Sequence, residues 1–358
     1  MSKVLMKGNE AFAEAAIRAG CKCYFGYPIT PQNEIPEYMS HELPKAGGAF
    51  LQAESELAAV NMAYGAAASG GRVFISTSSP GLSLMQEGLG FICSADVPLV
   101  ALNVSRGGPG VGGIQPGQAD YTQVTRGGYN GDCKIPVFAP ATIQECVDLI
   151  YECFDIADEY RNPVLILADG MLGQMMEPVE LPEARGITPV ADINKEKPWA
   201  MTGTGNHEGR NVIYSLRMEP DVLEKHVEHL FEKYAKAEKE LVRYNSFGLE
   251  EAEIVFVAFG TMSRLCAEAV ELLEERGVKA GLIRPISLWP FPDKAFDEIG
   301  DKTKIVISTE LSMGQMIVDV KAAVKGRWPV GLINRTGGIV PSSLEIVERA
   351  LKLLEEVK

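Results

Sequence analysis

Through the first half of the chain, short apolar runs alternate with longer stretches whose apolar positions recur every three or four residues. "NEAFAEAAIRAG" reads as an amphipathic helix and "CYFGY" as the strand after it. "QNEIPEYMSHEL" has a helical pattern interrupted at Pro36. "GAFLQA" reads as a strand, and "ELAAVNMAYGAAASGG" as a small-residue helix ending on glycines. "RVFIST", "LSLMQEGLGFIC", "PLVALNV", "TIQECVDLIYECFDIADEY" and "PVLILAD" continue the alternation. Strands and helices taking turns predict a doubly wound, mostly parallel sheet with helices on both faces.

The pattern then changes. From about residue 171 to residue 245 no strand alternation is visible: "MTGTGNHEGRN" is loop-like and "DVLEKHVEHLFEKYAKAEKELVRY" is a charged helix. A second, smaller α/β block follows, with strands in "EIVFVAFG", "KAGLIRPISL" and "KIVIST" and helices in "RLCAEAVELLEERG" and "SLEIVERALKLLEE". The expected organisation is a first domain over residues 1–185, a linker over 186–245 and a second domain over 246–358.

Composition narrows the function. The 358 residues are 46% hydrophobic and 23% charged, an ordinary globular balance with enough material for sizeable cores. A net charge of −14 offers no basic face, which argues against nucleic acid. No apolar run approaches membrane-spanning length and no secretory leader pattern opens the chain. Cys21, Cys23, Cys93, Cys133, Cys146, Cys153 and Cys266 form no Cys-x-x-Cys pair, so reduced thiols in a cytoplasmic protein are expected, without an iron–sulfur cluster or metal of the chain's own.

Candidate chemistry gathers at the predicted carboxyl ends of strands, where doubly wound sheets bind ligands. In "FGYPITPQNE", Pro28 ends a strand, Thr30 is placed to cap the next helix and Pro31 to take its first position. In "LQAESELAAV", Glu54 and Glu56 stand where a strand hands over to a helix. A first-turn acid complements the helix dipole, but a carboxylate buried there could also exchange a proton with a bound heterocycle. "SRGGPGVGGIQPGQ" lacks both the following helix of a dinucleotide fingerprint and the Gly-Lys-Ser/Thr of a phosphate loop, which disfavours a nicotinamide cofactor. Its Arg106 suits a substrate carboxylate, or is a surface arginine in a glycine turn. His41, His207, His226 and His229 form no metal set, and no Gly-x-Ser-x-Gly elbow is present. A loop-rich pocket without a protein nucleophile points to chemistry carried by a cofactor.

Six stretches in order, "GYPITP", "ESELAAV…AYGAA", "TSSPGLSLMQEGLGF", "SRGGPG", "STELSMGQM" and "NRTGG", resemble the pyrimidine-binding (alpha) subunit of the 2-oxoacid:ferredoxin oxidoreductases along nearly the whole chain. "GGPGVGGIQPGQADY" and "RGGYNGD" are most similar to the branched-chain (2-oxoisovalerate) members, with the 2-oxoglutarate members as near relatives. The resemblance implies a thiamine-diphosphate pyrimidine-binding fold followed by a transketolase-C-terminal-like domain. It implies oxidative decarboxylation of a 2-oxoacid to an acyl-CoA and CO2, with coenzyme A as co-substrate and ferredoxin as electron acceptor.

By the same resemblance, Glu56 would hydrogen-bond the aminopyrimidine, with Glu54 the weaker candidate. Thr30 would lie near the substrate, Arg106 would grip its carboxylate, and Pro28 and Ile29 would line the cofactor. The chain lacks a Gly-Asp-Gly…Asn segment and cysteine sets. Thiamine diphosphate would therefore be shared with a diphosphate-binding beta subunit. Mg²⁺ and the iron–sulfur clusters would sit on partners, which include a gamma subunit and a ferredoxin-like delta subunit. The rival class is a non-catalytic scaffold subunit, for which Glu56, Thr30 and Arg106 would be unnecessary.

Overall fold

A computed structural model describes residues 3–203 and 210–357; His207 lies outside them. Two sheets and a ribbon organise the chain. Strands β1 (Val4–Lys7), β2 (Cys23–Gly26), β3 (Ala49–Gln52), β4 (Val73–Thr77), β5 (Leu99–Ser105), β6 (Val137–Phe138), β7 (Pro163–Asp169) and β8 (Met176–Val179) come from the first half. β9 (Tyr244–Phe247), β10 (Ile254–Val257), β11 (Ala280–Pro285), β12 (Ser287–Trp289), β13 (Ile305–Glu310) and β14 (Val330–Asn334) come from the second.

The larger sheet has the order β12-β6-β7-β5-β4-β2-β3 and is parallel except for β12. The smaller sheet runs β14-β13-β10-β11-β9, with β9 antiparallel. β5 and β7 are buried on both faces, which is why they read as near-continuous apolar runs.

Helices α1 (Gly8–Arg18), α2 (Glu34–Glu42) and α6 (Ile143–Tyr160) cover one face of the larger sheet. Helices α3 (Glu56–Ala68) and α4 (Pro80–Ser94) cover the other, and the short α5 (Tyr121–Thr125) and α7 (Gly170–Gln174) follow β5 and β7. In the second half, α10 (Gly260–Glu275) and α12 (Ser343–Glu356) pack on the outer face of the smaller sheet. Its inner face, with α11 (Ile317–Val324), shares one continuous core with α3 and α4 through Val60, Leu82, Val255, Val306 and Met316. No helix among the described residues is long and apolar enough to cross a membrane.

Several local expectations are corrected. α2 begins at Glu34, not behind Thr30: residues 29–32 close a turn of their own through Gln32 N–H to the Ile29 carbonyl (3.0 Å), and the Thr30 hydroxyl accepts from Asn33 Nδ2 (3.3 Å). Pro36 does not interrupt α2, because it falls in the first turn, where its N–H would have no helical partner anyway. The segment 171–245 is not strandless: β8 pairs antiparallel with β1, and β9 edges the smaller sheet.

The charged helix of that segment, α9 (Pro220–Glu240, after the short α8, Val190–Glu196), is docked on the larger sheet's side of the molecule. Lys233 Nζ donates to Asp96 (2.7 Å) and His226 Nε2 lies 2.7 Å from the Ser94 carbonyl, so His226 is a structural contact. His229 stands 3.3 Å from Asp96, and no metal-holding group of side chains occurs among the described residues. Cys93 and Cys133 bring their sulfurs against each other where α4 meets the chain entering β6.

"KAGLIRPISL" is two strands in two different sheets. Pro285 has no N–H with which to extend the ladder. The next two residues, Ile286 and Ser287, both donate to the Arg243 carbonyl (3.0 Å each), and β12 then pairs antiparallel with β6. The second half of the chain thus completes the first half's sheet.

A further tie is Asp169, at the end of β7 and 4% exposed. One carboxylate oxygen caps α7 by accepting from Met171 and Leu172 N–H (3.0 and 3.1 Å), and the other accepts from the Thr261 hydroxyl at the start of α10. Burial pushes its carboxyl above the usual range, against the pull of those donors. Asp169→Ala is expected to cost about 2–4 kcal/mol, read as a lowered urea midpoint. Thr261→Val should cost less, about 1–2 kcal/mol.

Candidate active site

The carboxyl ends of β2, β3, β4, β5 and β7 open on one edge of the larger sheet, and the loops leaving them carry the candidate residues. Glu56 is the first residue of α3, whose start is fixed by the Ser55 hydroxyl accepting from Ala58 N–H (3.1 Å). It is 4% exposed, whereas Glu54 is exposed, so only one of the two acids faces inward. Among the described residues its carboxylate has no hydrogen-bond donor. A Cβ at Gly81 would come 2.3 Å from Glu56 Oε1 and 2.1 Å from Thr77 Oγ1, so glycine there keeps the carboxylate's surroundings open. The Thr77 and Ser78 hydroxyls are buried without a partner.

Arg106 follows β5 and is 8% exposed, which rules out a loose arginine in a surface turn. Its NH1 donates to the Thr30 carbonyl (2.7 Å) and its NH2 to the Val111 carbonyl (2.8 Å), while Nε is buried with no acceptor. The structure therefore brings Arg106 and the Thr30 corner together. Within that corner Pro28 is exposed and Ile29 half-buried.

A cluster that the sequence reading missed lies between Glu56 and Arg106. Asp120 Oδ2 accepts from Ser79 Oγ (2.6 Å), Asn103 Nδ2 (2.8 Å) and Ser105 Oγ (2.8 Å). The Ser79 hydroxyl in turn accepts from Arg106 N–H (3.0 Å), and Ser79 N–H donates to Asn103 Oδ1 (2.9 Å). Ser79 holds a left-handed backbone (φ 22°), a strained conformation for serine that this network sustains. A signal was available: Asn103 and Ser105 stand two apart in an otherwise apolar strand, so both polar side chains face the same side.

The second half closes the site from above. Gln118 N–H and its side-chain oxygen exchange hydrogen bonds with Leu311 (2.9 and 3.1 Å), and its amide donates to the Phe259 carbonyl (3.0 Å). A Cβ at Gly338 would lie 2.3 Å from Gln115 Cβ, so the "NRTGG" turn presses directly on the glycine-rich loop. Glu310, 1% exposed, accepts from five donors (Ser308 and Ser312 hydroxyls, and the N–H groups of Gln315, Met316 and Ile317) and shapes "STELSMGQM" around itself.

Between the Thr30 corner, the glycine-rich loop and this second half lies a cavity of about 520 Å³. Thr30, Ile114, Met171, Met175 and Val340 are among the residues that line it; of the described residues in its wall Glu34 is the one charged group and none is Lys, Arg or His. Glu56 and Arg106 are not part of its wall, since Glu56 lies on the α3–α4 side.

These residues suit the edge of a nitrogen heterocycle. The buried Glu56 carboxylate has no donor among the described residues, the orphaned Thr77 hydroxyl stands beside it, and Gly81 leaves the space. No group of three or more His, Cys, Asp or Glu side chains that could hold a metal ion occurs among the described residues.

Comparison with known proteins bears on this geometry. Residues 14–246 match the family model "Pyruvate flavodoxin/ferredoxin oxidoreductase, thiamine diP-bdg", and residues 252–346 match "Pyruvate:ferredoxin oxidoreductase core domain II". The chain is 44% identical to the ketoisovalerate oxidoreductase subunit VorB of Methanothermobacter marburgensis, over 99% of each chain. It is 36% identical to the 2-oxoglutarate synthase subunit KorA of Methanocaldococcus jannaschii, over 96% of this chain and 99% of that one.

Among solved structures, the 2-oxoglutarate:ferredoxin oxidoreductase from Magnetococcus marinus, with 2-oxoglutarate, coenzyme A and succinyl-CoA bound, superposes with a TM-score of 0.86 at 25% identity. The match covers 99% of this chain and 65% of that one. A split-gene transketolase, an inactive beta4 tetramer, shares the fold at 16% identity with a TM-score of 0.59, over 99% of both chains. The fold is thus the thiamine-diphosphate pyrimidine-binding type with a second α/β domain, and the chain belongs to the pyruvate flavodoxin/ferredoxin oxidoreductase family.

Proposed function

We propose that this chain is the pyrimidine-binding, catalytic alpha subunit of a 2-oxoacid:ferredoxin oxidoreductase that acts on a branched-chain 2-oxoacid such as 2-oxoisovalerate. The observation that carries the substrate assignment is the cavity beside Thr30, where Ile114, Met171, Met175 and Val340 form an apolar part of a wall that also includes Asn33, Glu34, Gln115 and Gln174, with no basic side chain among the described residues. An aliphatic side chain is favoured there. The second carboxylate of 2-oxoglutarate would meet no basic side chain on the cavity wall and would face the carboxylate of Glu34, whose charge is already matched by Lys7. The 44% identity to a ketoisovalerate oxidoreductase subunit supports the same choice over the 2-oxoglutarate relatives.

Thiamine diphosphate, when bound, supplies the electron sink for loss of CO2 from the 2-oxoacid. Glu56 would hold a proton at the aminopyrimidine edge, with the Thr77 hydroxyl as its neighbour and Gly81 leaving room. Pro28 and Ile29, in the corner leaving β2, would lie along the cofactor. Arg106 keeps unused N–H donors for the substrate carboxylate, and its anchors on Thr30 and Val111 fix where they stand. Thr30 would border the substrate.

The diphosphate and Mg²⁺ would be held by a beta subunit across the face on which Glu56 opens. A gamma subunit, and a ferredoxin-like delta subunit carrying iron–sulfur clusters, would complete the complex, with coenzyme A as acyl acceptor and ferredoxin as electron acceptor. A cytoplasmic setting accords with those partners.

In the assembled complex, Glu56→Gln should lower 2-oxoacid-dependent viologen reduction by about 100-fold or more without changing complex size on gel filtration. An unchanged rate would mean the chain is a scaffold. Gly81→Ala should weaken thiamine diphosphate binding by about tenfold or more, followed as quenching of intrinsic fluorescence on titration. Turnover of 2-oxoisovalerate should exceed that of 2-oxoglutarate in kcat/KM by about tenfold or more, and the opposite ranking would sink the substrate assignment.

A further inference from the structure

Two amide side chains from separate helices converge on one backbone carbonyl in the Thr30 corner. Asn9 Nδ2, at the start of α1 and 0% exposed, donates to the Pro31 carbonyl at 2.8 Å. Gln174 Nε2, at the end of α7, donates to the same oxygen at 2.8 Å. Both amides also donate to Glu34: Asn9 Nδ2 lies 2.7 Å from Oε2, and Gln174 Nε2 lies 3.1 and 3.2 Å from the two oxygens. Lys7 Nζ pairs with Glu34 as well. Burial opposes ionisation of Glu34, but the donors from Lys7, its own backbone, Asn9 and Gln174 outweigh it and hold its carboxyl below the usual range.

The close packing behind these residues leaves little freedom. A Cβ at Gly173 would come 2.5 Å from Asn9 Oδ1, and one at Gly8 would come 2.0 Å from the Leu172 carbonyl, so α1 and α7 meet backbone to backbone. On the opposite side, the carbonyl one residue earlier, that of Thr30, is held by Arg106. The corner is therefore gripped on successive carbonyls from two sides.

We propose that Asn9 and Gln174, oriented by Glu34, are positioning residues that set where Thr30 and the Arg106 guanidinium stand toward the 2-oxoacid. This inference rests on the functional reading above. Asn9 is buried outside the cavity wall, whereas Gln174 borders the cavity but holds the Pro31 carbonyl with its amide. Each acts by fixing the Pro31 carbonyl, so that Thr30 is not free to rotate the corner and release the acceptor on which Arg106 depends. A purely structural role would predict loss of stability without a change particular to one substrate. A positioning role predicts a loss confined to the 2-oxoacid.

The test uses the assembled complex with Gln174→Met, Asn9→Ala and the double variant. Gln174 is exposed, so its replacement is the arm that leaves the fold intact. Gln174→Met should lower kcat/KM for 2-oxoisovalerate about fivefold and Asn9→Ala about tenfold. The double variant should lose more than the product of the two, because either amide alone still holds the shared acceptor. KM for coenzyme A, thiamine diphosphate affinity and the thermal midpoint of Gln174→Met should stay at parental values.

An unchanged kcat/KM in the double variant overturns the proposal. So does a loss in Gln174→Met that is equal for 2-oxoacid and coenzyme A and tracks a lowered midpoint. A parental complex that reduces viologen with 2-oxoacid, and stops with Glu56→Gln, upholds the functional reading whatever the amide variants do. A parental complex that shows no such activity overturns both.

Discussion

One carboxylate oxygen holds the proposed site in register. Asp120 Oδ2 gathers hydroxyl or amide donors from Ser79, Asn103 and Ser105, which belong to two adjacent strand ends. Through Ser79 it forces the strained entry to α4, and that entry sets Gly81 against Glu56. Through the same Ser79 hydroxyl it reaches the Arg106 backbone, and Arg106 then reaches the Thr30 carbonyl. The three residues implicated from the sequence are thus joined by residues that carry no evident chemistry. The charged, hydrogen-bonded geometry is of the kind worth about 1.5–3 kcal/mol per bond in an enclosed setting. It can sustain a backbone conformation that serine would not otherwise adopt.

Much of the fold was legible because the burial pattern is simple. β5 and β7 are covered on both faces, so they appear as unbroken apolar runs, and α6 shows its inward face at regular spacing. What escaped was decided at long range. β1 and β8 are short and partly exposed, with no apolar alternation, and each is a strand only because the other is present. The helix start after Thr30 was misplaced because a Thr-Pro pair satisfies local capping rules. The structure uses those residues for a turn whose carbonyls are claimed from elsewhere.

The site followed the same division. Glu56, Thr30 and Arg106 sit on conspicuous motifs, whereas Asp120 and Asn9 become notable only once distant strand ends are neighbours. "STELSMGQM" and "NRTGG" were recognisable as motifs but not as a wall. Their role depends on Gln118 and Gln115, which lie in the other half of the chain. Glu310 shows why such a motif tolerates little change, since five donors converge on one buried side chain and removing it would orphan all of them.

The crossing of β12 into the larger sheet has a consequence for how such a chain can be divided. Family boundaries near residue 250 mark two units, yet the strand that completes the edge beyond β6 is encoded some forty residues later. A gene break at that boundary would leave the first product with an open edge beside β6 and the second with an unsheltered strand. The two pieces could regain the architecture only by strand complementation between separate polypeptides.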